Sequence, residues 1–194
     1  MKTMRTFLFV AFASCVTQLF PVLGGEEIKD PSPDGRFALR IIDEQKVELI
    51  EKASGSVMVD LGEAWHNPGQ VSQILVWSRD SKRVAYGNRG NKEGEVSVYF
   101  WNGSTFQAAT LPDDLPSPDI KFPKDCGAVK NYGGAATPLR WLKSGDLELS
   151  SDLMMLCRES GATCTGELQF TISFDAQHQA SVKNVGKTKT KIEE

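Results

Sequence analysis

The stretch Ser32-Pro33-Asp34-Gly35-Arg36-Phe37-Ala38-Leu39, "SPDGRFAL", and its near copy "WSRDSKRVAY" from Trp77 to Tyr86 decide the fold. Each reads as a turn whose Ser or Asp side chain caps the backbone, with apolar alternation leading into the next strand. The alternation continues on both sides. "RFALRII" sets Phe37, Leu39 and Ile41 against Ala38 and Arg40, "KVELIEK" sets Val47 and Leu49 against Glu48 and Ile50, and "GSVMVDL" puts Val57 and Val59 on one face. Turn residues in "DGR", "DEQ" and "ASGS" separate these pieces. "QILVW", "RVAYG", "VSVYFW" and "FQAATL" form a second set, in which Asn102-Gly103 of "WNGS" predicts a tight primed hairpin. No helical period is sustained after the first 24 residues, so the fold class is all-β with antiparallel sheets.

The pieces align as repeats. The first unit runs from about Ser32 to Leu61 and the second from about Ile74 to Leu111, with Ser78, Asp80 and Arg83 near the places of Ser32, Asp34 and Arg36. A third begins at Pro138 in "PLRWLKSGDLELSSDL", with Trp141 in the place of Trp77, and ends in the strands of "GELQFTISFDAQHQASV". A unit of this kind has an apolar face that only a stacked neighbour can bury. "SPDGRFAL" and "WSRDSKRVAY" resemble the S-P-D-G-K-x-[ILV]-[AV]-[FY] turn of the TolB-like and dipeptidyl-peptidase-like, WD40-like β-propeller repeats. In that family the turn joins the first two strands of each four-stranded blade. The second copy departs at Arg79 and Ser81, and the third keeps only the Trp and the Gly-Asp turn. The resemblance implies a binding or scaffolding module whose blades seldom carry catalytic residues. Propellers close with about four to eight blades of roughly 40–50 residues. The expectation is therefore a partial or small propeller-like assembly of about three blades, completed by a hidden fourth blade, an open stack or a second chain.

The chain has 194 residues, 40% apolar and 9% aromatic, which suits one domain with a sizeable core. Its formal net charge of -3 offers no basic surface for nucleic acid. "MKTMR" followed by "TFLFVAFASCVTQLFPVLGG" reads as a signal peptide over 1–24, which predicts an exported protein with no membrane span once the leader is removed. An uncleaved anchor, or a lipid on Cys15, are the other readings of that segment. The domain then occupies 25–183 and a flexible tail 184–194.

Export permits disulfides. The six residues between Cys157 and Cys164 in "CRESGATC" favour a bridge between those two, which leaves Cys126 free or as a substitute partner. Zinc needs more ligands at short spacing than His66, His178 and the cysteines provide, so no metal or cofactor is expected. "NRGNKEGE", Asn88 to Glu95, reads as a charged hairpin turn rather than a calcium loop.

Four of the nine prolines fall between Pro112 and Pro123, so 111–138 is expected to be a long ordered loop. Its Asp119, Lys121, Phe122 and Tyr132, with His66 of "AWHNPG", are the candidate binding residues. No G-x-S-x-G elbow occurs, and no catalytic residue is assigned. Trp77 and Trp141 read as core. Three functions stay open: a protein- or peptide-binding module acting through loops and sheet edges, a small secreted hydrolase with a site around the loop 111–138 and His66, and a self-associating envelope component.

Overall fold

A computed structural model describes residues 25–64, 73–90 and 92–193. Its strands are β1 Glu26–Lys29, β2 Phe37–Ile42, β3 Lys46–Glu51, β4 Val57–Glu63, β5 Gln73–Trp77, β6 Arg83–Arg89, β7 Gly94–Trp101, β8 Phe106–Ala108, β9 Val129–Trp141, β10 Leu147–Cys157, β11 Thr163–Phe174, β12 Ala180–Val185 and β13 Lys189–Glu193. The fold is all-β. Each sheet is an antiparallel meander: β1-β2-β3-β4, then β5-β6-β7-β8, then β9-β10-β11-β12, where β13 also pairs with β11. Among the described residues no helix is long and apolar enough to cross a membrane.

The sheets stack with the second in the middle. Val84 and Tyr86 of β6 and Tyr99 and Trp101 of β7 pack on the first sheet, against Phe37, Leu39, Ile41, Val47 and Leu49. The intervening residues Ala85, Val98 and Phe100 face Leu147, Leu149, Phe170 and Ile172 of the third. Period two puts alternate side chains on opposite faces, so a middle sheet needs apolar residues on both. β6 is accordingly buried along nearly its whole length. β9 lies at the edge of its sheet, where Pro138 costs no interior ladder bond. It crosses the second sheet so closely that a Cβ on Gly87 would stand 2.8 Å from Pro138.

The three alignable turns lie between the first and second strand of each sheet; the first two share their bonding, and the third, which has Leu142 in the place of the serine, closes one residue sooner. Ser32 N–H donates to Phe37 O at 2.9 Å, Ser78 N–H to Arg83 O at 2.8 Å and Leu142 N–H to Asp146 O at 2.9 Å. Gly35, Ser81 and Gly145 each take positive φ, at 73°, 58° and 95°. Ser32 Oγ donates to Asp34 and Ser78 Oγ to Asp80, both at 2.6 Å, and Ser144 Oγ donates to Asp146 at 2.8 Å. The match corrects the sequence alignment by one place: Arg83 stands where Phe37 stands, and Lys82 where Arg36 does.

Several sequence expectations change. In the "WNGS" reversal Asn102 N–H donates to Thr105 O at 3.1 Å, so the two central residues are Gly103 and Ser104 rather than Asn102 and Gly103; only Gly103 has positive φ, and Asn102 Oδ1 accepts the N–H groups of Ser104 and Thr105. A register shift between Leu49 and Ile50 pairs Val59 with Leu49 and Val57 with Ile50, which parts Val57 from Val59. Val59 packs in the core and Val57 is exposed. The loop expected over 111–138 ends at residue 128, because β9 begins at Val129. The tail expected to be flexible over 184–194 instead completes β12 and supplies β13, paired with β11 from Glu167 to Thr163. β1 lies ahead of the first turn, outside the first repeat unit read from Ser32. The leader expected over 1–24 lies outside the described residues.

The disulfide is Cys126–Cys157, with Cα atoms 4.7 Å apart, and not the expected Cys157–Cys164. The hairpin register explains the change. Met155 sits opposite Cys164, and Cys157 donates its N–H to Ala162 O, so Cys164 is a diagonal neighbour of Cys157. Its thiol is free and buried, with Sγ 3.8 Å from Cys157 Sγ.

Candidate functional site

The two joints between sheets are built on the same frame. Trp77, just before the second turn, donates its indole N–H to Asp30 O of the first sheet's turn segment at 3.0 Å. Trp141, just before the third turn, donates to Val76 O at the same distance. Asp30 and Val76 each precede a turn serine by two residues, so the two bonds are equivalent. The Trp side chains thus couple neighbouring units as well as packing between them.

Side chains on that frame differ. In the first joint Phe37 meets Trp77, Trp101 and Phe106, with ring centroids 6.1, 5.0 and 5.0 Å away. Arg36 covers the cluster, 4.7 Å from the Trp101 ring, with its charge held by Glu51 at 3.0 Å. In the second joint Arg83 replaces Phe37. Its guanidinium lies 4.9 Å from the Trp141 ring and donates to Gly145 O at 3.0 Å. An arginine fork fixed on a carbonyl cannot fill the space that a ring fills, and a groove of about 580 Å³ remains, lined by Arg79, Asp80, Arg83, Trp141, Leu142 and Lys143.

The groove has an aromatic wall and three cations. Asp80 is occupied locally: it accepts from Ser78 Oγ and from Lys82 N–H at 3.1 Å. The Ser78 hydroxyl, ahead of partial burial, which acts the other way, holds its carboxyl below the usual range. Arg79 and Lys143 are exposed and form no ion pair among the described residues. The arrangement can bind a carboxylate through Arg79 and Lys143 while an apolar group rests on Trp141.

The residues expected to form a site lie on separate parts of the fold. Asp119 uses its backbone N–H on Thr188 Oγ1 at 3.1 Å, and its neighbours Pro118 and Ile120 press onto Gly166, where a Cβ would come within 2.7 Å of each. With Cys126 tied to Cys157, this loop seals a small core of Ile120, Cys126, Cys157, Ala162 and Cys164. Lys121 is exposed and Phe122 is 40% exposed. Tyr132 belongs to β9 and lies over the Lys92 ammonium, 5.6 Å away. His66 and Trp65 lie outside the described residues. His178 stacks on Phe100 with centroids 4.1 Å apart and shapes the turn before β12. The earlier part of the loop, Asp113, Leu115 and Ser117, walls a second groove of about 360 Å³ against Lys92, Asn131 and Ser151.

Sequence reading missed the groove because it assigned Trp141 wholly to the core and matched Arg83 with Arg36. The available signal was the spacing from the turn serine: five residues to Phe37 and five to Arg83. No protein-family model matches the chain, and no curated protein matches it at a significant level.

Proposed function

We propose that this chain is an exported binding module of the β-propeller-repeat kind, and that it takes an acidic segment of a protein partner in the groove between its second and third turns. The observation that carries the reading is the replacement of Phe37 by Arg83 on an otherwise repeated joint, which leaves Trp141 beside three cations. The apolar leader and the Cys126–Cys157 bridge support export. Four-stranded meanders with the motif turn between their first two strands support the family reading.

Titration of tryptophan emission with a glutamate-rich decapeptide, and with a lysine-rich one of equal length, tests this. The acidic peptide alone is expected to change the emission, with the response lost in Trp141→Phe. Affinity should weaken about tenfold or more, roughly 1.4 kcal/mol, in Arg79→Ala/Lys143→Ala. Arg83→Phe, which rebuilds the first joint's ring in the second, should close the groove to the peptide. An acidic peptide that binds the double variant as well as the parent would refute the site.

A further inference from the structure

The three cysteines meet at one point of the third sheet. Cys157 ends β10, Cys164 stands two residues into β11, and Cys126 comes down from the loop above. All three are buried, and Cys157 Sγ is bonded to Cys126 and 3.8 Å from the thiol of Cys164. The central sulfur therefore has two partners within reach, one on the neighbouring strand and one on a separate loop. We infer that Cys157 exchanges partners between Cys126 and Cys164, and that the exchange ties or releases the loop 111–128.

The step balances without an external reagent. Cys164 loses its proton to water and its thiolate attacks Cys157 Sγ. The Sγ157–Sγ164 bond forms as Sγ126–Sγ157 breaks, the electron pair leaves on Cys126 Sγ, and that sulfur takes up a proton. One disulfide and one thiol are present before and after, so nothing is oxidised or reduced. Only the thiolate attacks, so the step is favoured by alkaline pH. Burial slows the step, because the thiol must reach water by local opening before it ionises.

The two pairings differ mechanically. Cys126–Cys157 clips the loop to β10 across 31 residues of sequence. Cys157–Cys164 would join two strands already paired as a hairpin and leave the loop held by Pro118, Ile120 and the Asp119–Thr188 bond. Lys121 and Lys124 on that loop are exposed sites for trypsin.

Trypsin cuts after Lys124, Lys130, Lys143, Arg158 and Lys183, which places the three cysteines in three separate peptides. The purified full chain is held at pH 6 and at pH 9 for a day, alkylated at low pH and mapped without reduction. A peptide pair joined through Cys157 and Cys164, with Cys126 alkylated, is expected to grow at pH 9 and to be missing from Cys164→Ser. In Cys126→Ser, oxidised glutathione should close the Cys157–Cys164 bridge within the native fold. Cleavage at Lys121 and Lys124 should quicken severalfold in the pH 9 sample and not in Cys164→Ser. If the unmutated chain keeps only Cys126–Cys157 at pH 9, the inference is overturned whether or not Cys126→Ser folds.

Discussion

The joint between the first and second sheets and the joint between the second and third share one backbone plan and opposite side-chain chemistry. In both, an indole just before the turn reaches back to the equivalent carbonyl of the preceding unit. One is closed by Phe37, Trp77, Trp101 and Phe106; the other is left open around Arg83 and Trp141. A repeated hydrogen-bond frame fixes how units stack, and the residue five places after the turn serine decides whether the joint is core or surface.

The largest test of that difference is truncation. Phe37→Ala should cost about 3–5 kcal/mol, the range for a buried ring, in urea-induced unfolding. Arg83→Ala should cost about 1 kcal/mol, since its loss is one hydrogen bond and one half-buried stacking contact. Equal costs would mean that the second joint is as much a core as the first.

The shared frame is probed by Trp77→Phe and Trp141→Phe. Each removes an indole hydrogen bond and part of a ring, so each should lower stability by about 1–2 kcal/mol. Unequal losses, read from thermal unfolding of the pair, would show that the two bonds are not equivalent in energy.

Ser81 sharpens the comparison of the turns. It keeps positive φ where the other two have glycine, and its hydroxyl accepts the Asp34 N–H at 3.0 Å across the first joint. Ser81→Gly should be nearly neutral, because relief of the backbone, about 1 kcal/mol, offsets the lost bond. Ser81→Ala, which loses the bond and keeps the strain, should cost about 1 kcal/mol in chemical denaturation.

The smallest effect is acid sensitivity. Asp80, held down by Ser78, and Asp146, held down by Lys183, have carboxyls below the ordinary value of 3.8. Asp34 is lowered too: partial burial raises it, but the Ser32 hydroxyl, the Arg36 N–H and the Ser81 hydroxyl outweigh that. A carboxyl depressed in the folded state adds stability above its unfolded value, and that stability is lost as pH falls through the folded one. Unfolding midpoints should therefore drop below about pH 4. Asp80→Asn and Asp146→Asn should each flatten the drop, and an unchanged slope would remove the carboxyls from the account.

Much of the fold was legible because strand alternation and turn chemistry are local. Phe37, Leu39, Val47 and Leu49, placed by period two, are all buried, and the three turns follow from their Ser, Asp and Gly residues. Less of the candidate site was. Asp119, Lys121, Phe122 and Tyr132 are polar or aromatic on one stretch of chain, yet β9 carries Tyr132 off and the disulfide pins Asp119's neighbours inward.

The sequence by itself determined an all-β chain of repeated strand-turn-strand units, since the two-residue period and the capping residues act over a few positions. Tertiary structure decided the rest. It chose the partner of Cys157, because hairpin register and the descent of a distant loop set which sulfur is near. It also made Arg83 a groove and Phe37 a core, because what a side chain encloses depends on the sheet stacked against it.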